Sequence, residues 1–393
     1  MDYMARALAL AAQARGRTSP NPMVGAVLVR EGRVVGEGFH ARAGGPHAEV
    51  VALAQAGPEA RGATLYVTLE PCNHHGRTPP CTQALIQAGV AEVHMAMLDP
   101  NPRVSGRGRA ALEAAGIRTV VGEREAEARR LNEIFVHWVT TGRPFVWAKY
   151  AMTLDGKIAT VTGHARWISG PEARRYVHEL RDRLDAILVG TNTVLQDDPR
   201  LTTRLAKEDV AHPLRVILDS RGRIPLSARV FDPRLPGQTL VATTEAMPRT
   251  HRQALEAQGV RVWSLPGYRG KVDLVALLAR LGQEEITSVL VEGGGTVLGA
   301  LFAHGQVDKV TAIVAPQIVG GRGAPTPVGD PGVATMDRAW RLTALEVRHL
   351  GPDVALIGYP APAECPDPGS LPRMLGAEEP GNESGYPRGH STP

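Results

Sequence analysis

Cysteine, lysine and long apolar runs are what this 393-residue chain has least of. Three cysteines, Cys72, Cys81 and Cys365, exclude a disulfide framework for a chain of this size and point to a reducing, cytoplasmic compartment. No stretch of 18 apolar residues occurs, so the hydropathy pattern contains no membrane-spanning helix. The first apolar run, residues 7–12, is too short for the core of a signal peptide and follows Asp2 and Arg6, so it reads as part of an amphipathic helix. Lysine fills 5 positions against 39 arginines, and the basic residues form no run. The net charge of +4 therefore reads as an arginine bias as much as a binding surface.

What is present is ordinary for a globular chain: 43% hydrophobic and 21% charged residues, over a length that suggests two or three domains. Apolar spacing predicts a helix over 2–15 closed by Gly16, a hairpin of strands 24–29 and 33–39, a helix over 47–56 and a strand over 64–69. Helices at 82–88 and 108–115 alternate with strands at 93–97 and 117–121, and a single long helix is expected over 123–139. This order describes a three-layer α/β domain over residues 1–143, ended by Thr141-Gly142-Arg143-Pro144.

A second α/β domain is expected over 144–360. Its strands are read at 145–150, 186–189, 215–218, 239–242, 288–291, 309–314, 342–349 and 355–358, and its helices at 171–183, 249–258, 272–281 and 296–303. Residues 361–393 hold seven Pro, five Gly and five acids against two arginines, and are expected to form a disordered acidic tail.

Two chemical centres are legible. His47-Ala48-Glu49, followed by Pro71-Cys72 and then Cys81, offers one imidazole and two thiolates, a soft three-donor set that leaves a fourth tetrahedral position for water. Glu49, two residues from His47 near a helix start, is placed to handle protons without ligating zinc. This is the donor pattern of zinc-dependent base deaminases, with the usual two residues between the cysteines opened to eight. In the second domain a strand runs into Glu292-Gly293-Gly294-Gly295-Thr296 and a helix. Such glycines let backbone N–H groups approach a phosphate, although the same residues serve a plain glycine turn equally well.

The segments PNPMVGAVLV (20–29), GEGFHARAGGPHAEV (36–50), TLEPCNHHGRTPPC (68–81) and DPNPRVSGRG (99–108) resemble the deaminase half of the bifunctional riboflavin-biosynthesis deaminase/reductase family. AKYAMTLDGKIA (148–159), WISG (167–170), ILVGTNTVLQDDPRLTTR (187–204), ILDS (217–220) and VEGGGTVLGALF (291–302) resemble its reductase half, in family order. The resemblance implies a cytidine-deaminase-like domain followed by a dihydrofolate-reductase-like domain. It also implies that His47, Cys72 and Cys81 hold zinc and that Glu49 shuttles the proton while zinc-hydroxide deaminates 2,5-diamino-6-(5-phosphoribosylamino)pyrimidin-4(3H)-one. Asn21, His40, His74, Asp99 and Asn101 are then expected to line that pocket.

NADPH is expected to reduce the ribosyl group of the product, 5-amino-6-(5-phosphoribosylamino)uracil, to ribityl. The resemblance puts Ala151, Trp167, Thr193, Asp197, Ser220, Gly294, Gly295, Thr296, Val297, Leu298, Gly299 and Ala300 against NADPH. It puts Arg181, Leu201, Arg204 and Glu292 against the substrate, the arginines suiting its phosphate. Lys149 and Asp155 belong to the same motif. The expected protein is a homo-oligomeric cytoplasmic enzyme for a phosphorylated aminopyrimidine, with neither nucleic acid nor membrane as partner. The alternative, a nucleic-acid base deaminase with an accessory nucleotide-binding domain, is disfavoured by the scattered arginines, the eight-residue insert and the whole second domain.

Overall fold

Residues 1–73 and 80–361 are described by the computed structural model. His74 and the tail beyond Ala361, with Cys365, lie outside the described residues. The N-terminal part runs α1 (Tyr3–Ala11), β1 (Gly25–Arg30), β2 (Arg33–Phe39), α2 (Ala48–Ala56), β3 (Thr64–Val67), α3 (Cys81–Ala88), β4 (Glu92–Met95), α4 (Arg107–Ala114), β5 (Arg118–Val121), α5 (Glu125–Leu131) and α6 (Glu133–Thr141). Its five strands lie in the order β2-β1-β3-β4-β5, antiparallel from β2 to β3 and parallel from β3 to β5. Side chains alternate across the pleat. Leu28, Leu65 and Val93 meet Ala52, Leu85 and Leu112 on one face, while Val27 and Val29 meet Met4, Leu8 and Val136 on the other. Helices on both faces make the three expected layers, and each fully buried Leu or Val contributes about 1.5–3 kcal/mol.

One element departs from expectation. The helix expected over 123–139 is two helices, α5 and α6, broken at Asn132. The cause is tertiary: buried Asn132 accepts from Met23 N at 2.8 Å and donates Nδ2 to Met23 O at 2.9 Å. An amide satisfied by a distant chain segment prevails over helical spacing.

The C-terminal part runs β6 (Phe145–Thr153), α7 (Pro171–Arg183), β7 (Ala186–Gly190), α8 (Thr191–Asp197), β8 (Leu214–Leu218), β9 (Thr239–Thr243), α9 (Arg249–Ala257), β10 (Arg261–Ser264), β11 (Gly267–Tyr268), β12 (Lys271–Val272), α10 (Leu274–Gln283), β13 (Ser288–Val291), α11 (Gly295–Ala303), β14 (Lys309–Ala315), β15 (Arg341–Leu350) and β16 (Asp353–Ala361). Nine strands form one sheet, β10-β9-β8-β7-β13-β6-β14-β16-β15. It is parallel through β14 and closed by antiparallel β16 and β15. The central strands read as near-continuous apolar runs because both faces are covered: Leu188 and Val216 pack with Leu277 and Leu298, and Ile187 and Ile217 with Ile224 and Leu255. The strand β10, the small β11–β12 hairpin and helix α8 are too short for periodicity to reveal.

The two sheets are joined through Gly142, whose φ of 73° caps α6. Arg143 grips Asp308 with both terminal nitrogens, at 2.9 and 2.7 Å. Trp138 donates Nε1 to Gly282 O at 3.2 Å. Lys309 Nζ reaches Glu133 Oε1 at 2.6 Å while lying over the Trp147 ring. Arg17 pairs with Asp182 and Asp209 across the same junction. Among the described residues no helix is long and apolar enough to cross a membrane.

Candidate active sites

The first site is built from two helix starts and the loop after a central strand. His47 is the N-cap of α2, Cys72 lies on the segment that follows β3, and Cys81 is the first residue of α3. Their donor atoms lie within 4.8 Å of one another. His47 Nδ1 is 3.2 Å from Cys81 Sγ and 3.6 Å from Cys72 Sγ. A tetrahedral zinc about 2.0–2.3 Å from each donor requires separations of this order, so the set fits the metal. A proton shared between the two thiols holds Cys72 down to about 4, through its hydrogen bond with Cys81 and then with His47, and drives Cys81 upward.

Glu49, in the first turn of α2, is 3% exposed, and burial pushes its carboxyl up to about 7. A carboxyl in that range both takes and returns a proton near neutral pH. His40 stands edge-on to His47 with ring centroids 5.5 Å apart. It is fixed by Asn21 Nδ2 at 3.3 Å and by Pro46 O at 3.0 Å.

Asp99 and Asn101 sit on a loop held beside Pro71-Cys72 by a residue that sequence reading missed. Buried Glu70 accepts from Asp99 N, Gly106 N and Arg109 N at 2.9–3.0 Å, and Asp99 Oδ1 in turn accepts from Asn101 N. Glu70 lies between Thr68 and Cys72 in the motif, and its adjacency to Pro71-Cys72 was the available signal.

The second site gathers at the middle of β6 and the C-terminal ends of α7 and β13. Arg181 donates Nε to Glu292 Oε1 at 2.6 Å and Nη2 to Oε2 at 2.8 Å, with side chains 11% and 9% exposed. Burial alone would raise the Glu292 carboxyl, but the charge and hydrogen bonds of Arg181, with Lys149 beyond, hold it below its ordinary range. Lys149 is held below its usual range by burial. His178 is depressed to about 4 by burial and by the cations Arg181 and Arg204.

Leu201 takes a left-handed φ of 54° and is buried, which turns Thr202 O toward Arg181 Nη1 at 3.1 Å and Arg204 Nη1 at 3.3 Å. All three nitrogens of Arg181 are thus engaged. Arg204 has no carboxylate partner among the described residues and is the arginine left facing outward.

Beside this cluster a cavity of about 1160 Å³ opens at the C-terminal ends of β7, β8 and β13, where doubly wound sheets take nucleotides. Of the expected cofactor residues, Thr193, Ser220, Gly294, Thr296, Val297 and Ala300 line it. The backbone before α11 needs glycine at Gly293, with φ at 132°. The other six are not among its lining residues. Ala151 lies on β6 against the α7 core. Trp167 is 67% exposed under the Arg174 guanidinium. Asp197 ends α8 with its carboxyl raised by burial. Gly295 approaches Thr326 and Gly329, Leu298 is in the core, and a Cβ at Gly299 would stand 2.5 Å from the carbonyls of Gly329 and Asp330. Asp155 accepts from Val319 N and Gly320 N, which makes it a loop anchor.

The family model of the RibD C-terminal domain matches residues 144–356. That of the cytidine and deoxycytidylate deaminase zinc-binding region matches residues 1–97. The riboflavin biosynthesis protein RibD of Synechocystis sp. is 45% identical over 357 residues, 91% of this chain and 95% of its own. The protein of the same name from Aquifex aeolicus is 44% identical over 355 residues, with coverages of 90% and 97%. Acinetobacter baumannii RibD superposes with a TM-score of 0.82 at 39% identity, over 91% of this chain and 98% of that one. A diaminohydroxyphosphoribosylaminopyrimidine deaminase/5-amino-6-(5-phosphoribosylamino)uracil reductase from Thermotoga maritima superposes with a TM-score of 0.80, also at 39% identity, over 91% of this chain and 98% of that one.

Proposed function

The chain belongs to the RibD family of bifunctional riboflavin-biosynthesis deaminase/reductases, with a cytidine-deaminase-like domain followed by a RibD reductase domain, and from that premise we propose how its residues divide the two reactions. The substrates are those in the name of the Thermotoga relative: the diaminopyrimidine phosphoribosylamine, then the corresponding aminouracil. The division falls between residues 143 and 144, a reading supported by the Gly142 break and by the reductase match beginning at 144.

In the deaminase, His47, Cys72 and Cys81 hold zinc, which when bound makes a water easy to deprotonate. Glu49 takes the proton of the attacking water and delivers it to the departing ammonia; its burial beside the three donors is the observation that carries this reading. Asn21 and His40 hold the pyrimidine from one side, and the Asp99–Asn101 loop, pinned by Glu70, from the other.

In the reductase, NADPH supplies the hydride that opens the ribosyl group to ribityl. Gly294 and Thr296 sit where α11 begins and receive the pyrophosphate at the open helix end. Arg181 orients Glu292, Lys149 stands beside that carboxylate, and Arg204 faces the substrate phosphate. The reading includes a cytoplasmic protein acting on small molecules and not on nucleic acid, and a homo-oligomer, which the exposed Leu345 and Val347 of edge strand β15 support.

The test is incubation with the diaminopyrimidine phosphate while ammonia and NADPH absorbance are followed separately. Ammonia release without NADPH, followed by oxidation once NADPH is added, is the expected order. Oxidation preceding deamination overturns it.

A further inference from the structure

Residues 16–23, between α1 and β1, have no helix or strand of their own, yet they touch both domains. Their far end reaches the deaminase pocket. Asn21 Nδ2 lies 3.3 Å from His40 Nε2, and His40 Nδ1 lies 3.0 Å from Pro46 O. A carbonyl can only accept, so Nδ1 carries the proton of the neutral ring and Nε2 accepts from Asn21. Two residues further on, the amide of buried Asn132 holds both the N–H and the carbonyl of Met23.

The stretch before Asn21 is held by the reductase domain. Gly16 lies directly against the end of α7, where a Cβ would stand 2.7 Å from Asp182 O and 2.8 Å from Arg183 Cα. Arg17 donates Nη1 to Asp182 O and Nη2 to Asp182 Oδ1, both at 3.2 Å, and Nε to Asp209 Oδ2 at 2.8 Å. The Arg17 side chain is 19% exposed and that of Asp182 only 6%. Ser19 Oγ lies 3.2 Å from Thr287 Oγ1, just before β13. The Thr287 hydroxyl already donates to Asp185 Oδ2 at 2.7 Å, so Ser19 is the donor to Thr287.

Asn21 is thus fixed from both sides, by Asn132 of its own domain and by two ties to the other. An irregular segment left free would have to be ordered each time a ligand binds, and holding its side chains in place beforehand removes that cost.

We propose that Arg17 and Ser19 are positioning residues of the deaminase, through which the reductase domain holds Asn21, and with it His40, in place for the pyrimidine. The two act through the segment and not by contact with the ring. The proposal rests on the reading that Asn21 and His40 hold the pyrimidine.

Steady-state ammonia release by the full, zinc-loaded chain tests this through the split between KM and kcat. Arg17→Ala is expected to raise KM for the diaminopyrimidine phosphate about tenfold, with kcat within about twofold and zinc at one per chain. Arg17→Lys keeps the charge but not the fork, and should fall between. Ser19→Ala, which removes one hydrogen bond at a half-buried residue, should raise KM about threefold, and it carries the test if melting shows that Arg17→Ala does not fold.

The decisive measurement is the double-mutant cycle with Asn21→Ala. Asn21→Ala alone should raise KM, and adding Arg17→Ala or Ser19→Ala should then raise it by no more than about twofold, because the side chain they position is gone. Variants at Arg17 and Ser19 that lose stability but keep KM, or whose effects multiply in full with that of Asn21→Ala, overturn the proposal and leave Asn21 in the pocket. If Asn21→Ala itself leaves KM unchanged, the placement of the pyrimidine against Asn21 fails, and the proposal with it.

Discussion

Arg181 and Glu292, 111 residues apart in sequence, form a buried two-point ion pair at 2.6 and 2.8 Å in the C-terminal domain. Breaking such a pair leaves one charge uncompensated, which typically destabilises a protein by about 3–5 kcal/mol. Glu292→Gln should therefore lower both the unfolding free energy and NADPH oxidation, the latter by about 10²-fold through lost positioning. Arg204→Ala, at an exposed residue, should raise KM for the aminouracil phosphate with stability changed by no more than about 0.5 kcal/mol. Urea unfolding with steady-state kinetics distinguishes the two. Equal stability losses in both variants would contradict this division of roles.

Glu49→Gln is expected to reduce ammonia release by about 10²–10⁴-fold while zinc content, measured by atomic emission, stays at one per chain. The side chain is buried beside the donor set but is not one of its members. Loss of zinc together with activity would make Glu49 part of the metal's binding shell.

His178 is depressed to about 4 by burial and then by Arg181 and Arg204, so it is neutral at pH 7, and its Nδ1 accepts from Arg204 N at 3.3 Å. Its folded-state pKa lies below the unfolded value of about 6.5. The unfolded chain thus binds the proton first, and stability falls as pH drops from about 6.5 toward 4. Removing the neighbouring cation with Arg204→Ala should move the imidazole pKa upward in an NMR titration. An unchanged value would mean that burial acts alone.

Glu133 of α6 and Lys309 of β14 pair at 2.6 Å, with Tyr359 Oη donating to the same carboxylate. Glu133→Ala should cost about 3 kcal/mol, because Lys309 is 9% exposed and loses its partner. The double variant Glu133→Leu/Lys309→Met should recover much of that loss in urea unfolding, since an apolar pair of similar volume needs no desolvation. A double variant as unstable as the single one would show that the packing, and not the charge, holds the junction.

Local pattern made much of this protein legible. His47-Ala48-Glu49 with Pro71-Cys72 and Cys81 gave the donor set, because zinc chemistry demands particular side chains and short loops deliver them to helix starts. Alternating strands and helices gave both α/β layers, because burial on a pleat or a helical stripe imposes its own period. What spacing could not convey was set by partners far along the chain. Asn132 breaks a helix because Met23 satisfies its amide, and Glu70 holds the Asp99 loop by accepting three backbone N–H groups. Arg181 turns inward to Glu292 and leaves the outward position to Arg204. The small β11–β12 hairpin lines the reductase-domain cavity because Val272 N donates to Ser220 Oγ, a partner 52 residues away. Sequence by itself determined which chemistry the chain carries, since that depends on residue type and near spacing. Tertiary structure decided which charge faces which, since a buried group takes its partner from whatever the fold brings within about 3 Å.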